Sequence, residues 1–445
     1  MNKIIIAVLL LLAIESNAQE NKSLTLKDAI TYALQNKSDA KRAKYEIANS
    51  EYQIQEARSR ALPQISINGG VTYNPILQTT VIDGSTFGAP GTIQAALGQD
   101  WNSIAGISFN QTLFDQAVFT GLKAAKTTRE FYQINEQLTE EQVIENVSNN
   151  YYQVYVLRQQ IALVETNLET TTKVRDIVKG QLENGLAKQI DLDRMNVNLS
   201  NIKTQKQQLL NAVQLQENAL KFYMGMPISA SITIPEEEFA VTPFNNQDSL
   251  NPNNRSEFQL LKKQEELLTL QKKAMIAGYA PTLSLSANYN YLGQGDQLPW
   301  FATPSEGVYW SDFSSIGLSL RIPLFTGFGT RSKVGQANVQ LQILQEDLKD
   351  TQLALDLDYE NARTQISNSI ITLQSQKENM ELAEEIQRNI NNNYLQGLAS
   401  LTDLLDAENA SIEAQNNYTS AVLDYKLAEI QLLKSKGELK TLINN

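Results

Sequence analysis

A chain of 445 residues with a net charge of −12 and neither cysteine nor histidine excludes several kinds of chemistry at once. It has no thiol nucleophile, no disulfide, no imidazole proton shuttle and few means of holding a transition metal, and it shows no basic patch that would favour nucleic acid. A composition 42% apolar but only 7% aromatic suits long exposed helices better than a thick globular core.

Residues 1–18 read as a secretory signal peptide: Lys3 is the charged start, 4–14 an apolar run, and Ser16 and Ala18 are small residues before Gln19. The run is nearer a dozen residues than the ~20 needed to span hydrocarbon. Nothing later reaches transmembrane-helix length, so entry into a membrane would have to be by β-strands.

The first repeat covers 19–224. Apolar residues at Leu26, Ala29, Ile30, Ala33 and Leu34 predict one helix over 24–62, stopped by Pro63. The period then drops to two, with Ile65, Ile67, Val71 and Tyr73 on one face and Gln64, Ser66, Asn68 and Thr72 on the other. Residues 75–101 are too irregular for an element and longer than an ordinary loop. A second two-faced strand is expected over 102–114, with Ala105, Ile107 and Phe109 opposite Gly106, Ser108 and Asn110. From Gln116 to Asn184 there is no proline, so a helix of about 100 Å is expected. Val147, Val154, Ile161 and Leu168, with Ile144 and Tyr151, give it a heptad seam. Gly185 breaks the helix, and a second helix runs from about Asp191 to Met224.

A proline-rich linker with an acidic run at 236–238 occupies 225–255, with room for a short strand at 231–234. The second repeat, 256–445, replays the plan. A helix ends at Pro281, strands follow at Leu283, Leu285, Tyr289, Tyr291 and at Ile316, Leu318, Leu320, and a long loop containing Trp300 and Trp310 lies between them. A long helix over 327–393 has its seam at Leu341, Leu344, Leu348 and Leu355, and the last helix spans about 402–436. Gly185, Leu186, Ala187, Asp191 and Leu192 recur 212 residues later as Gly397, Leu398, Ala399, Asp403 and Leu404, which marks a tandem duplication.

Each strand has the length that crosses a bilayer when tilted, with one apolar and one polar face. Four strands cannot close a barrel around water, and open edges in lipid are costly, so closure needs other copies. Three would supply twelve strands. The fold class expected is therefore an α+β membrane protein: a homotrimeric 12-stranded β-barrel, four strands per chain, with a long α-helical coiled-coil barrel. The alternative is an exported coiled-coil scaffold or adhesin without a pore, its strand faces packed on helices.

Ala57, Arg58 and Ser59 before Leu62, Pro63, Gln64 and Ile65, the Pro281 copy, the Leu324, Phe325, Thr326, Gly327 exit and both Gly-Leu-Ala tips resemble the TolC family of outer-membrane efflux channels. The resemblance covers essentially the whole mature chain. It implies a trimeric tunnel in the outer membrane of a Gram-negative-type cell, with its helices in the periplasm. Its partners would be a periplasmic adaptor, an inner-membrane transporter and outer-membrane lipid.

No phosphate-binding loop and no nucleophile elbow occur, and polar residues are spread along helices, so neither enzymatic activity nor a cofactor or metal is expected. Asp403 and Asp406 share a face at the start of the last helix, where three chains would gather six carboxylates. The plainer reading makes Asp403 half of a capping box with Ser400 and Asp406 a partner of the helix N-terminus. The resemblance implies instead that both line the periplasmic constriction and that Tyr394 helps to latch it. Asp191 matches the corresponding first-tip aspartate; otherwise it is a helix cap. Ala399 stands where some members have arginine, so an ionic latch from that position is not expected, while the acidic ring itself is compatible with the resemblance. Gly185, Leu186, Ala187, Gly397, Leu398 and Ala399 resemble the surfaces that meet adaptor hairpins.

Overall fold

The computed structural model describes residues 23–88, 90–96, 98–235 and 250–444. The signal peptide and the acidic run of the linker lie outside them. In chain order the elements are α1 (Leu26–Asn36), α2 (Ser38–Ser59), β1 (Gln64–Tyr73), β2 (Thr79–Asp83), β3 (Thr92–Ala96), β4 (Trp101–Asp115), α3 (Gln116–Glu183), α4 (Gln189–Met224), α5 (Ser256–Ile276), β5 (Thr282–Gly295), β6 (Val308–Arg321), α6 (Gly329–Leu395), α7 (Leu401–Lys436) and α8 (Thr441–Asn444). They form two compact units. One takes in Ile47–Phe131 and Lys262–Glu346, the other the described residues of Met1–Glu46, Tyr132–Leu261 and Asp347–Asn445. Each unit draws on both sides of the duplication.

The first of these units is built on an antiparallel sheet in the order β1-β4-β5-β6. Its register puts Ile67 beside Ile107 and Ile107 beside Tyr289, while Ala287 faces Ile316 and Leu285 faces Leu318. Because side chains alternate, that register gathers the apolar sets of all four strands on one face. The other face carries a polar ladder: Ser66 and Asn68 bond Ser108 at 3.0 and 2.8 Å, and Asn288 donates to Ser315 at 2.8 Å. A bulge at Leu113 turns Phe114 to lie opposite Leu283. At the far end Tyr73 packs on Trp101 and Tyr291 on Trp310, both at 4.7 Å between ring centres. Trp310 lies flat over Gly293, where a Cβ would come within 2.8 Å of the indole, so only glycine admits the ring.

Among the described residues no helix covers the apolar face. Ile67 is 79% exposed, Ile316 82% and Leu318 68%, which removes the alternative in which these faces pack on the chain's own helices. Among the described residues no helix is long and apolar enough to cross a membrane.

The segment between β1 and β4 corrects an expectation, since β2 and β3 pair within it from Thr79 opposite Ala96 to Asp83 opposite Thr92. The signal was there in the β-branched run Thr79, Thr80, Val81, Ile82 and in Ile93 and Ala95 alternating with Thr92 and Gln94, but it is short and set among glycine-rich turns.

Among the described residues the helical unit has three cores. Ala29, Ile30 and Ala33 of α1 pack on Ile144, Val147, Tyr151 and Val154 of α3 and on Leu220 and Met224 of α4. Tyr359, Ala362, Ile366 and Leu373 of α6 meet Ala421, Tyr425, Ala428 and Leu432 of α7. A third, at the helix turns, is described below. The α6 seam alternates four and three from Leu355 through Tyr359, Ala362, Ile366, Ser369 and Leu373, all buried, which is the 3.5-residue repeat of a coiled coil.

Three further expectations change here. The helix expected over 24–62 breaks at Lys37, whose backbone is extended at φ −62°, ψ 132°. There the Lys37 ammonium donates to the Phe222 carbonyl at 3.0 Å and sits 3.8 Å from the centre of its ring, a long-range contact that no local signal encodes. The α3 seam keeps Ile144, Val147, Tyr151 and Val154, but Ile161 and Leu168 are only half-buried; the line resumes at Val164, Thr171 and Val178. The step from Val154 to Val164 is a heptad plus three residues, a stammer that shifts the packing phase. In place of a strand over 231–234, Thr233 makes a lone parallel bridge with Ser23.

Candidate functional site: the paired helical tips

The α3–α4 and α6–α7 turns are built alike. Gly185 has φ +73° and Gly397 φ +75°. In each, the glycine N–H bonds a carbonyl three residues back (Leu182, Tyr394), and the next leucine N–H bonds one five back (Gln181, Asn393), at 2.8 to 3.0 Å. This is the double bond of a Schellman cap, which needs a left-handed residue. It points Leu186 and Leu398 into solvent, 81% and 74% exposed, while Ala187 and Ala399 are half-buried.

Beneath the turns, Val174 and Val178 of α3, Met195 of α4 and Leu401 and Leu404 of α7 form a core against which Tyr394, Ala187 and Leu192 pack. The fold therefore brings Tyr394 of the second tip to the first. Its hydroxyl donates to Gln181 at 3.4 Å, and burial, with the nearby negative charge of Asp191, raises its pKa above the usual tyrosine value. Asp191 itself accepts from the Lys188 backbone N–H at 3.3 Å, a helix cap.

Asp403 sits in a full capping box. It accepts from the Ser400 N–H at 2.9 Å and hydroxyl at 2.7 Å, while its own N–H donates to Ser400 Oγ at 3.2 Å. Those bonds hold its carboxyl below the usual range, the hydroxyl contributing most. Asp403 is thus charged at neutral pH and fixed at the α7 N-terminus; Asp406, one turn on, is also exposed. The plain cap and an acidic rim are the same geometry seen from inside one chain.

Sequence reasoning missed two features. Arg194 of α4 reaches Thr402 at 3.5 Å, tying the tips from the first hairpin. Glu408 of α7 is buried, accepting from the Thr171 hydroxyl and, at 3.5 Å, from the Asn198 amide. A glutamate inside a polar helix gives no sequence signal of burial; Thr171 lies on the shifted α3 seam, which only packing reveals.

The sequence profile described as Outer membrane efflux protein matches residues 29–226 and 253–438. The chain belongs to that family. Outer membrane protein TolC of Vibrio cholerae is 23% identical over 398 residues, 87% of this chain and 84% of that protein. The alkaline protease secretion protein AprF of Pseudomonas aeruginosa is 22% identical over 429 residues, covering 94% and 85%. Among solved structures, the outer membrane protein VceC of Vibrio cholerae superposes with TM-score 0.72 at 17% identity, covering 93% of this chain and 96% of that one. The open-state MtrE outer membrane channel of Neisseria gonorrhoeae gives 0.70 at 16%, covering 93% and 89%. This outer membrane efflux protein is accordingly an export channel of the outer membrane, and its family is one of passive channels rather than enzymes.

Proposed function

We propose that three copies of this efflux protein close their sheets into one twelve-stranded barrel, the lipid-facing band being the shared apolar face and the lumen wall the Ser and Asn ladder. The observation that carries this is the exposed apolar face of a four-stranded sheet whose outer strands, β1 and β6, each lack a partner on one side among the described residues; in lipid such edges must pair. The helices of the three chains form the periplasmic tunnel. Asp403 and Asp406, with Asp191 of the first tip, narrow its mouth and Tyr394 helps to latch it, and the tips at Gly185, Leu186, Ala187, Gly397, Leu398 and Ala399 dock end-on to a periplasmic adaptor. An inner-membrane transporter supplies the energy, as the passive tunnel has no site for it.

Light scattering of the protein in mild detergent tests the assembly. A homotrimer that conducts ions in planar bilayers is expected; a stable monomer, or a trimer without conductance, refutes the reading.

A further inference from the structure

Glu408 lies where the first turns of α7 meet both helices of the first hairpin. Its Oε1 takes the Thr171 hydroxyl from α3, and its Oε2 is 3.5 Å from the Asn198 amide of α4. Thr171 is completely buried, Glu408 nearly so, and Ser411, one turn along the same face of α7, buries its hydroxyl without a hydrogen-bond partner among the described residues.

Among the described residues no cation answers the carboxyl. On α3, Lys173 pairs with Glu169 and Arg175 with Asp176, while on α4 Arg194 turns to Thr402 and Lys206 reaches Glu165. Arg388 of α6 and Asp406 and Glu413 of α7 are exposed. An ionised carboxylate left in such a place bears a desolvation cost that the Thr171 hydroxyl and the Asn198 amide offset only in part, so burial favours the protonated form. The Asn198 amide donates to Oε2 only at 3.5 Å, a long and therefore weak bond that does little to hold the charged form.

We propose that Glu408 is a positioning residue, a proton-holding clamp that seats the start of α7 on α3 and α4 and lets that helix move outward when it ionises. The clamp is read from packing inside one chain; its consequence for transport rests on the reading that Asp403 and Asp406, five and two residues nearer the tip, form the mouth of the channel. Burial raises the carboxyl's pKa and the Thr171 bond partly opposes this. Asp403 titrates below the usual range and Tyr394 above its own, so neither switches in the same window. Glu141 of α3 is also raised, by burial, but it bonds Ser256 rather than any tip residue and serves as a control.

The native chain has no cysteine, so spin labels attached through Thr170→Cys on α3 and Ala410→Cys on α7, both exposed positions, report on this contact alone. The labelled full-length protein, diluted with unlabelled chains in lipid nanodiscs, is followed by pulsed electron resonance from about pH 5 to about pH 9. The α3–α7 distance should lengthen as the pH rises. Glu408→Gln, which keeps the hydrogen bonds and cannot ionise, should stay short throughout. Thr171→Val should move the midpoint up by roughly one pH unit, because it removes a donor to the charged form, and Glu141→Gln should leave it in place. A parent distance that ignores pH overturns the clamp, as does a Glu408→Gln profile matching the parent's. If Glu408→Gln does not fold, the Thr171→Val midpoint decides alone, and an unmoved or lowered one overturns it. Asp403→Asn with Asp406→Asn separates the two ideas: loss of cation selectivity supports the acidic mouth, and the distance transition survives whether or not that reading fails.

Discussion

Ile316 stands near the middle of the apolar band, six residues from Trp310 at one end and eight from Leu324 at the other. It pairs with Ala287, which itself lies beside Phe109, so it belongs to the face shared by three strands. It is 82% exposed, and no group of the chain covers it. A lysine there cannot reach either interface without crossing the band, and Ile316→Lys should cost about 2–4 kcal/mol per chain, the midplane value for a lipid-facing cation. Ser315→Lys, the next residue, points to the polar face beside Asn288 and should cost within about 0.5 kcal/mol of nothing. Leu320, closer to the strand end, should fall between them. Urea titrations of folding into lipid vesicles, followed by heat-modifiable gel mobility, read all three. Equal costs at residues 315 and 316, or a smaller one at 316, would refute the assignment of faces.

Asp403→Asn with Asp406→Asn should weaken cation selectivity and block by multivalent cations, because the negative field at the mouth falls while side-chain size is kept; unchanged single-channel selectivity would make both residues plain caps. Tyr394→Phe should instead raise the open fraction, as it removes the hydroxyl that bonds Gln181 and leaves the charges in place. Gly397→Ala should destabilise by roughly 1–2 kcal/mol, since φ is +75° there and a Cβ disfavours left-handed backbone by that amount; chemical denaturation measures it. For Glu408 the folded pKa is raised above its ordinary 4.5, so the folded state holds the proton more tightly and stability is lost as pH climbs through the folded value. Glu408→Gln should therefore raise Tm at about pH 8 with the gain vanishing near about pH 4, by differential scanning calorimetry.

Local pattern alone determined much of this protein. Pro63 and Pro281 end helices because proline cannot continue them, and period-two stretches such as Ile65 to Tyr73 became strands with the expected faces. Both tips were readable too, because a glycine after a long helical run is the signature of a left-handed cap, and Gly185 and Gly397 have that conformation. The duplication was visible because equivalent turns impose equivalent local chemistry on residues 212 apart.

Only the tertiary structure decided the rest, in each case because the cause is a contact between distant residues. The break at Lys37 comes where the chain packs on Phe222 and Gly225, some 185 positions away. The shift of the α3 seam to Val164, Thr171 and Val178 depends on which helices lie against it, and a heptad sequence does not name its neighbours. Strand register gathers four apolar sets on one face, whereas each strand by itself states only that it has two faces. Glu408 is the sharpest case: in the sequence it is one more glutamate on a polar helix, and its burial exists only because α3 and α4 close over it with Thr171 and Asn198.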